Sequence, residues 1–64
     1  MNHKFAVGQV VVFRPGPGEI ISSQPTRATI MRLLPMQDTE YHYHIQLEAD
    51  GLQRRVRENQ LWAT

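Results

Sequence analysis

Two imidazoles and a set of guanidiniums are the side chains of this sequence best equipped for chemistry. His42-Tyr43-His44 sets two histidines on one face of an extended chain, about 6.6–6.8 Å apart at Cα. Such a pair holds a transition metal when a third ligand arrives from a neighbouring strand, and His3, Glu40 and Glu48 are the candidates. A two-ligand spacing does not define a site by itself. The expectation is therefore no metal and no other cofactor, with His42 and His44 solvated opposite a core-facing Tyr41 and Tyr43.

Arg54-Arg55-x-Arg57, with Arg14, Arg27 and Lys4, offers a basic stripe. An arginine fork donates two parallel hydrogen bonds, which suits carboxylate and phosphate alike. Tyr41, Tyr43 and Trp62 supply the flat surfaces on which bases or other rings stack. Acidic residues at Asp38, Glu40, Glu48, Asp50 and Glu58 are interspersed. Cross-strand pairing of Arg55 or Arg57 with Glu48, worth about 0.2–1 kcal/mol, is the purely structural alternative.

Catalysis lacks its parts. The nucleophile candidates Ser22 and Ser23 lie in a loop without a recognisable base partner, and no carboxylate pair sits in an evident cleft. A chain this short buries only about 60% of its unfolded surface, leaving little room for a water-excluding pocket. An enzyme is not expected.

The elements that must position these residues read as strands. The chain has 64 residues, 41% hydrophobic, enough for one folded domain spanning 1–64. Val10-Val11-Val12-Phe13 favours a first strand over Gln9 to Arg14, with Gly8 as a bend before it. Pro15-Gly16-Pro17-Gly18 opens a long connection over residues 15–26, in which Glu19 to Ser22 is a brief strand or packs over the core. Arg27 to Leu34 forms a second strand that Pro35 ends. Strict alternation puts Ala28, Ile30, Arg32 and Leu34 on one face.

Residues 36–40 make a polar turn. Tyr41, Tyr43, Ile45 and Leu47 then alternate with His42, His44, Gln46 and Glu48, as in a half-buried antiparallel strand. Asp50-Gly51 signals a hairpin into Leu52 to Arg57. Arg54 falls on the apolar face of that strand. Either a bulge re-aims it, or its stem lies inside and its head reaches Glu58 or Glu48 at the rim. Glu58 to Trp62 closes the chain as a helical turn carrying Leu61 into the core. This pattern predicts an all-β domain, a small five-stranded barrel.

Three segments in order carry a family likeness: Phe5-Ala6-Val7-Gly8-Gln9, Arg32-Leu33-Leu34-Pro35, and Tyr43-x-Ile45 followed by Arg54-x-Val56-Arg57-Glu58-x-Gln60-Leu61. They span nearly the whole chain, and their order and spacing resemble a family of very small uncharacterised bacterial proteins. That resemblance implies an SH3-like (Tudor-like) barrel and brings no established activity. The sequence departs from the family pattern at Ala28, where a larger residue is expected, and at Arg55, where an apolar one is.

The formal charge is +1, with seven Lys/Arg against six Asp/Glu. Dense phosphate binding needs a cation for each phosphate, so this balance places a protein or peptide partner ahead of nucleic acid. The expected contacts are Tyr41, Tyr43, Arg55, Arg57 and Trp62, on a module acting as a monomer. The Pro/Gly loop is a further candidate wall of a peptide groove. With no cysteine, no spanning apolar run and no recognisable signal peptide, the expected setting is the cytoplasm, away from membranes.

Overall fold

A computed structural model describes residues 3–14 and 25–64. Five strands and one 3-10 turn follow each other: β1 Val10–Phe13, β2 Thr26–Gln37, β3 Glu40–Leu47, β4 Gln53–Arg57, the turn Glu58–Gln60, and β5 Leu61–Ala63. They form one antiparallel sheet in the order β4-β3-β2-β1-β5. The all-β, five-stranded expectation holds. Among the described residues no ladder joins β4 to β5, and the 3-10 turn spans the gap between these edges. Most of the long 15–26 connection, including Glu19 to Ser22, lies outside the described residues; Thr26 already belongs to β2.

One face of the sheet is dry. Val11, Phe13, Ala28, Ile30, Tyr43, Ile45, Leu47, Val56 and Leu61 project from it, and Phe5 closes over them from the N-terminal segment. Fully burying side chains of this size contributes about 1.5–3 kcal/mol each before chain entropy is set against it. Gly8 reaches this arrangement as expected of a bend. It has φ +89° in the turn Ala6 to Gln9, which the Gln9 N–H closes onto the Ala6 carbonyl at 3.0 Å. A positive φ at the third turn position suits glycine. The Gly8 N–H and the Gln9 carbonyl then clasp both backbone groups of Ile30, at 2.7 and 2.9 Å.

β2 departs from strict alternation in two places. Ile30 pairs with Ile45, but the next partner of His44 is Arg32, so Met31 is an extra residue. Between the pairs Leu34–His42 and Gln37–Glu40, Pro35 and Met36 together oppose Tyr41. Each bulge shifts the register by one and exchanges the faces of the residues beyond it. Arg32 and Leu34 therefore leave the face of Ala28 and Ile30, where alternation put them, and Leu33 comes opposite Tyr43 instead. Pro35 does not end the strand. It occupies the second bulge, where the ladder is already interrupted and a missing N–H is tolerated.

The expected five-residue turn at 36–40 contracts to two residues, Asp38 and Thr39, with φ of 53° and 64°. Two positive φ values in a two-residue hairpin are the I′ geometry that follows strand twist. A β-branched threonine is strained there. Thr39→Gly is expected to stabilise the domain by about 1 kcal/mol. The check is a higher urea midpoint at unchanged slope.

A hairpin forms at Asp50-Gly51, but its loop is four residues, 48–51, closed by Leu47 and Leu52, and β4 begins at Gln53 rather than Leu52. Gly51 has φ +73° and donates to Leu47 at 2.9 Å, and the Asp50 carboxylate accepts from the Leu52 N–H at 3.0 Å. Leu61 is buried, but it opens β5 rather than ending a helix.

Candidate functional site

The outward face of the sheet collects the cations. Read across β4, β3 and β2, register gives one row of Arg55, His44 and Arg32, and beside it Arg57, His42 and Leu34. The neutral row Gln53, Gln46, Thr29 and Val10 lies on the other side. Arg27, Val12 and Trp62 make the last row, across β2, β1 and β5. Arg14 extends this end, its guanidinium 5.0 Å from the centre of the Trp62 ring. Five of the seven Lys/Arg residues thus share one face, and none of the five is lysine.

Carboxylates stand at the ends of these rows. Glu40 reaches Arg57 at 3.9 Å and accepts from Asn59 Nδ2 at 3.1 Å. This corrects the expected partner of Arg57, which was Glu48. Glu48 continues β3 and ties its backbone N–H to the Arg27 carbonyl at 2.9 Å. Arg55 finds neutral acceptors, donating to Gln37 Oε1 and, at 3.5 Å, to His42 Nδ1. Within the Arg32–His44–Arg55 row, among the described residues, no carboxylate offsets the charge.

Trp62, 46% exposed, remains available as a contact residue. Tyr43 does not. It has no exposed surface, so it cannot serve as a contact or stacking platform. Its hydroxyl donates to Glu58 Oε2 at 2.6 Å and accepts from the Phe5 N–H at 3.1 Å, while the same Glu58 oxygen accepts from the Lys4 N–H at 2.9 Å. The group is a latch that fastens the N-terminal segment over the end of the core. Burial first, and the bond to Glu58 second, push the Tyr43 hydroxyl up to about 12.

Tyr41 is half-committed to the same latch. It packs against the core, and the His3 ring lies 4.5 Å away, tilted, between it and Tyr43. His3 donates from Nε2 to the Leu34 carbonyl at 2.6 Å. It is therefore structural, not a third ligand for His42 and His44. Those two point outward from β3 as alternation requires, and no three His, Asp or Glu side chains among the described residues converge as a metal site.

Arg54 keeps its place on the inward face, since the β3–β4 register runs without a bulge. Its guanidinium lies 5.1 Å from the Phe13 ring centre, a cation–π contact. Glu58, one of its expected partners, is engaged by Lys4 and Tyr43. A shallow cleft of about 250 Å³ opens beside this latch, lined by Lys4, Glu58, Asn59, Leu61 and Trp62.

No family model, curated protein or solved structure matches this chain.

Arg32 is the residue that sequence reading missed. Its signal is the bulge at Met31, and β-bulges of this kind carry no obligatory glycine to mark them. Among the described residues, no helix is long and apolar enough to cross a membrane.

Proposed function

We propose that this domain is a non-catalytic interaction module that docks an acidic protein or peptide on the outward face of β2, β3 and β4. The observation that carries the reading is the Arg32–His44–Arg55 row, a positive strip three strands wide with no carboxylate in it among the described residues. Around it lie Leu34, Val12, Val10 and Trp62. Arginine and tryptophan with interleaved apolar residues, and without lysine, is the composition of protein–protein contact surfaces. Arginine meets carboxylates in a bidentate fashion and loses less than lysine on desolvation.

A second reading is favoured by one observation: Arg14, Arg27, Arg32, Arg55 and Arg57 share a face with an exposed Trp62, as a single-stranded nucleic-acid platform would require. The protein reading stands ahead because the net charge is only +1 and Glu40 and Glu48 bracket the strip. A chain without cysteine suits a reducing cytoplasm, and that is the setting proposed.

NMR titration at low salt separates the two readings. One arm uses a peptide in which glutamates alternate with apolar residues; the other uses a single-stranded oligonucleotide. The expected result is movement of the Arg32, His44, Arg55 and Arg57 amides with the peptide at lower concentration than with the oligonucleotide. Stronger binding of the oligonucleotide, with a steep loss of affinity as salt rises, would reverse the order. Shifts confined to other parts of the chain with both would end the outer-face reading.

A further inference from the structure

β4 is an edge strand, and the direction of its unpaired backbone groups can be read from one hydrogen bond. The Leu47 N–H donates to the Leu52 carbonyl at 2.8 Å, which sets these two residues at a bonding position of the ladder even though the Leu52 N–H turns back to Asp50. Antiparallel ladders alternate such pairs with pairs whose backbone groups face away. Continuing the register, Ile45–Arg54 and Tyr43–Val56 are bonded pairs, whereas Gln53, Arg55 and Arg57 turn their N–H and C=O groups to the open side. Arg57 agrees with this, because its N–H is free of the ladder and donates to the Gln60 side chain at 3.1 Å. Gln53 and Arg55 are left presenting backbone donors and acceptors along an edge with no paired strand among the described residues.

The side chains of these same residues lie on the outward face, with Arg55 and Arg57 at the end of the basic rows. A strand added beside Arg55 would carry its own side chains about 5.5 Å away at Cα, within cross-strand reach. Two occupants are conceivable, and charge chooses between them. A second copy of β4, paired antiparallel about Arg55, would set guanidinium against guanidinium. Like charges directly opposite are destabilising, and charged edges are a common guard against self-association. An acidic strand meets the opposite condition.

We infer that the β4 edge is a strand-addition site for an extended acidic segment of a partner protein, which hydrogen-bonds to the Gln53 and Arg55 backbone and sets carboxylates opposite Arg55 and Arg57. This rests on the interaction-module reading above and specifies its partner as an unfolded or β-forming acidic segment. Peptides added this way draw affinity from main-chain bonds and selectivity from alternate side chains. The Arg32–His44–Arg55 row then continues into the added strand.

The test combines amide exchange with a charge swap. The probe is an eight-residue peptide alternating glutamate and valine, and its control has lysine in place of glutamate. The glutamate peptide should slow exchange of the Gln53 and Arg55 amides at least tenfold when saturating, with no comparable change at Arg54 and Val56, which are already bonded. Arg55→Glu should weaken the glutamate peptide at least tenfold and gain affinity for the lysine peptide.

Three outcomes overturn the inference. In the first, the glutamate peptide shifts Arg32 and Trp62 but leaves Gln53 and Arg55 exchange unchanged; edge pairing fails while outer-face docking survives. In the second, no peptide binds at low salt, and edge pairing and acidic docking fail together. In the third, Arg55→Glu fails to reverse the preference between the two peptides, and the charge argument fails.

Discussion

Tyr43→Ala should leave the chain unfolded at room temperature, whereas Tyr43→Phe should fold with reduced stability. Tyr43 has no exposed surface and packs edge-on against Phe5, with ring centres 5.7 Å apart. Truncating a buried aromatic residue costs about 3–5 kcal/mol. That equals the whole stability expected of a single core this small, roughly 3–5 kcal/mol. Removing only the hydroxyl leaves the ring but takes an acceptor from the Phe5 N–H and a donor from Glu58, a loss of about 1–3 kcal/mol.

The same hydroxyl sets an alkaline limit. Its folded pKa of about 12 lies above the ordinary tyrosine value of 10.0, so the neutral form is the one the fold favours. The associated stability is fully present below pH 10 and is lost as pH rises towards 12, roughly 2–3 kcal/mol in all. Circular dichroism across pH 8 to 12 should show the wild type losing structure in that window. Tyr43→Phe starts less stable, and this part of the pH dependence should be missing from it. An unchanged alkaline transition in the phenylalanine variant would remove Tyr43 as its cause.

The second large effect concerns binding. Arg32→Glu combined with Arg55→Glu replaces both flanks of His44 with carboxylates, on exposed positions that the core does not use. The double variant should keep the wild-type thermal midpoint within a few degrees and lose about 100-fold in affinity for an acidic peptide, tenfold or about 1.4 kcal/mol for each reversed contact. Lys4→Glu, which changes net charge away from this face, should cost little. Isothermal titration at low salt measures all three. Lys4→Glu carries half the charge change of the double variant, so a tenfold loss in it as well would mean that overall charge, not the row, governs binding.

Much of the scaffold could be read from residue order. The Tyr41 to Leu47 alternation has period two and one apolar face, and that face is the core. Gly8 and Gly51 carry local chemistry that tolerates few alternatives, and each stands at a positive φ that this chemistry suits. The contact surface was less legible, for four physical reasons. A bulge at Met31 has no residue signature, so strict alternation sent Arg32 and Leu34 to the wrong face. Pro35 read as a stop because a proline inside a strand is tolerated only at such an irregularity. Tyr43 and Tyr41 share the spacing of an aromatic platform and of a core stripe, and only the latch from Lys4, Phe5 and Glu58 tells them apart. The partner of Arg57 was missed because Glu40 comes near it through the β3–β4 register, not through sequence proximity.

The outward basic row exists only if β2 slips by one residue at Met31, and cross-strand NOEs test this directly. With His44–Arg32 as a bonded pair, Leu33 and Tyr43 form the close non-bonded pair, about 4.5 Å apart at Cα. A strong Hα–Hα NOE between Leu33 and Tyr43 is the expected result. The same NOE between Arg32 and Tyr43 would mean an unbroken register, with Arg32 turned inward and the proposed docking face dissolved.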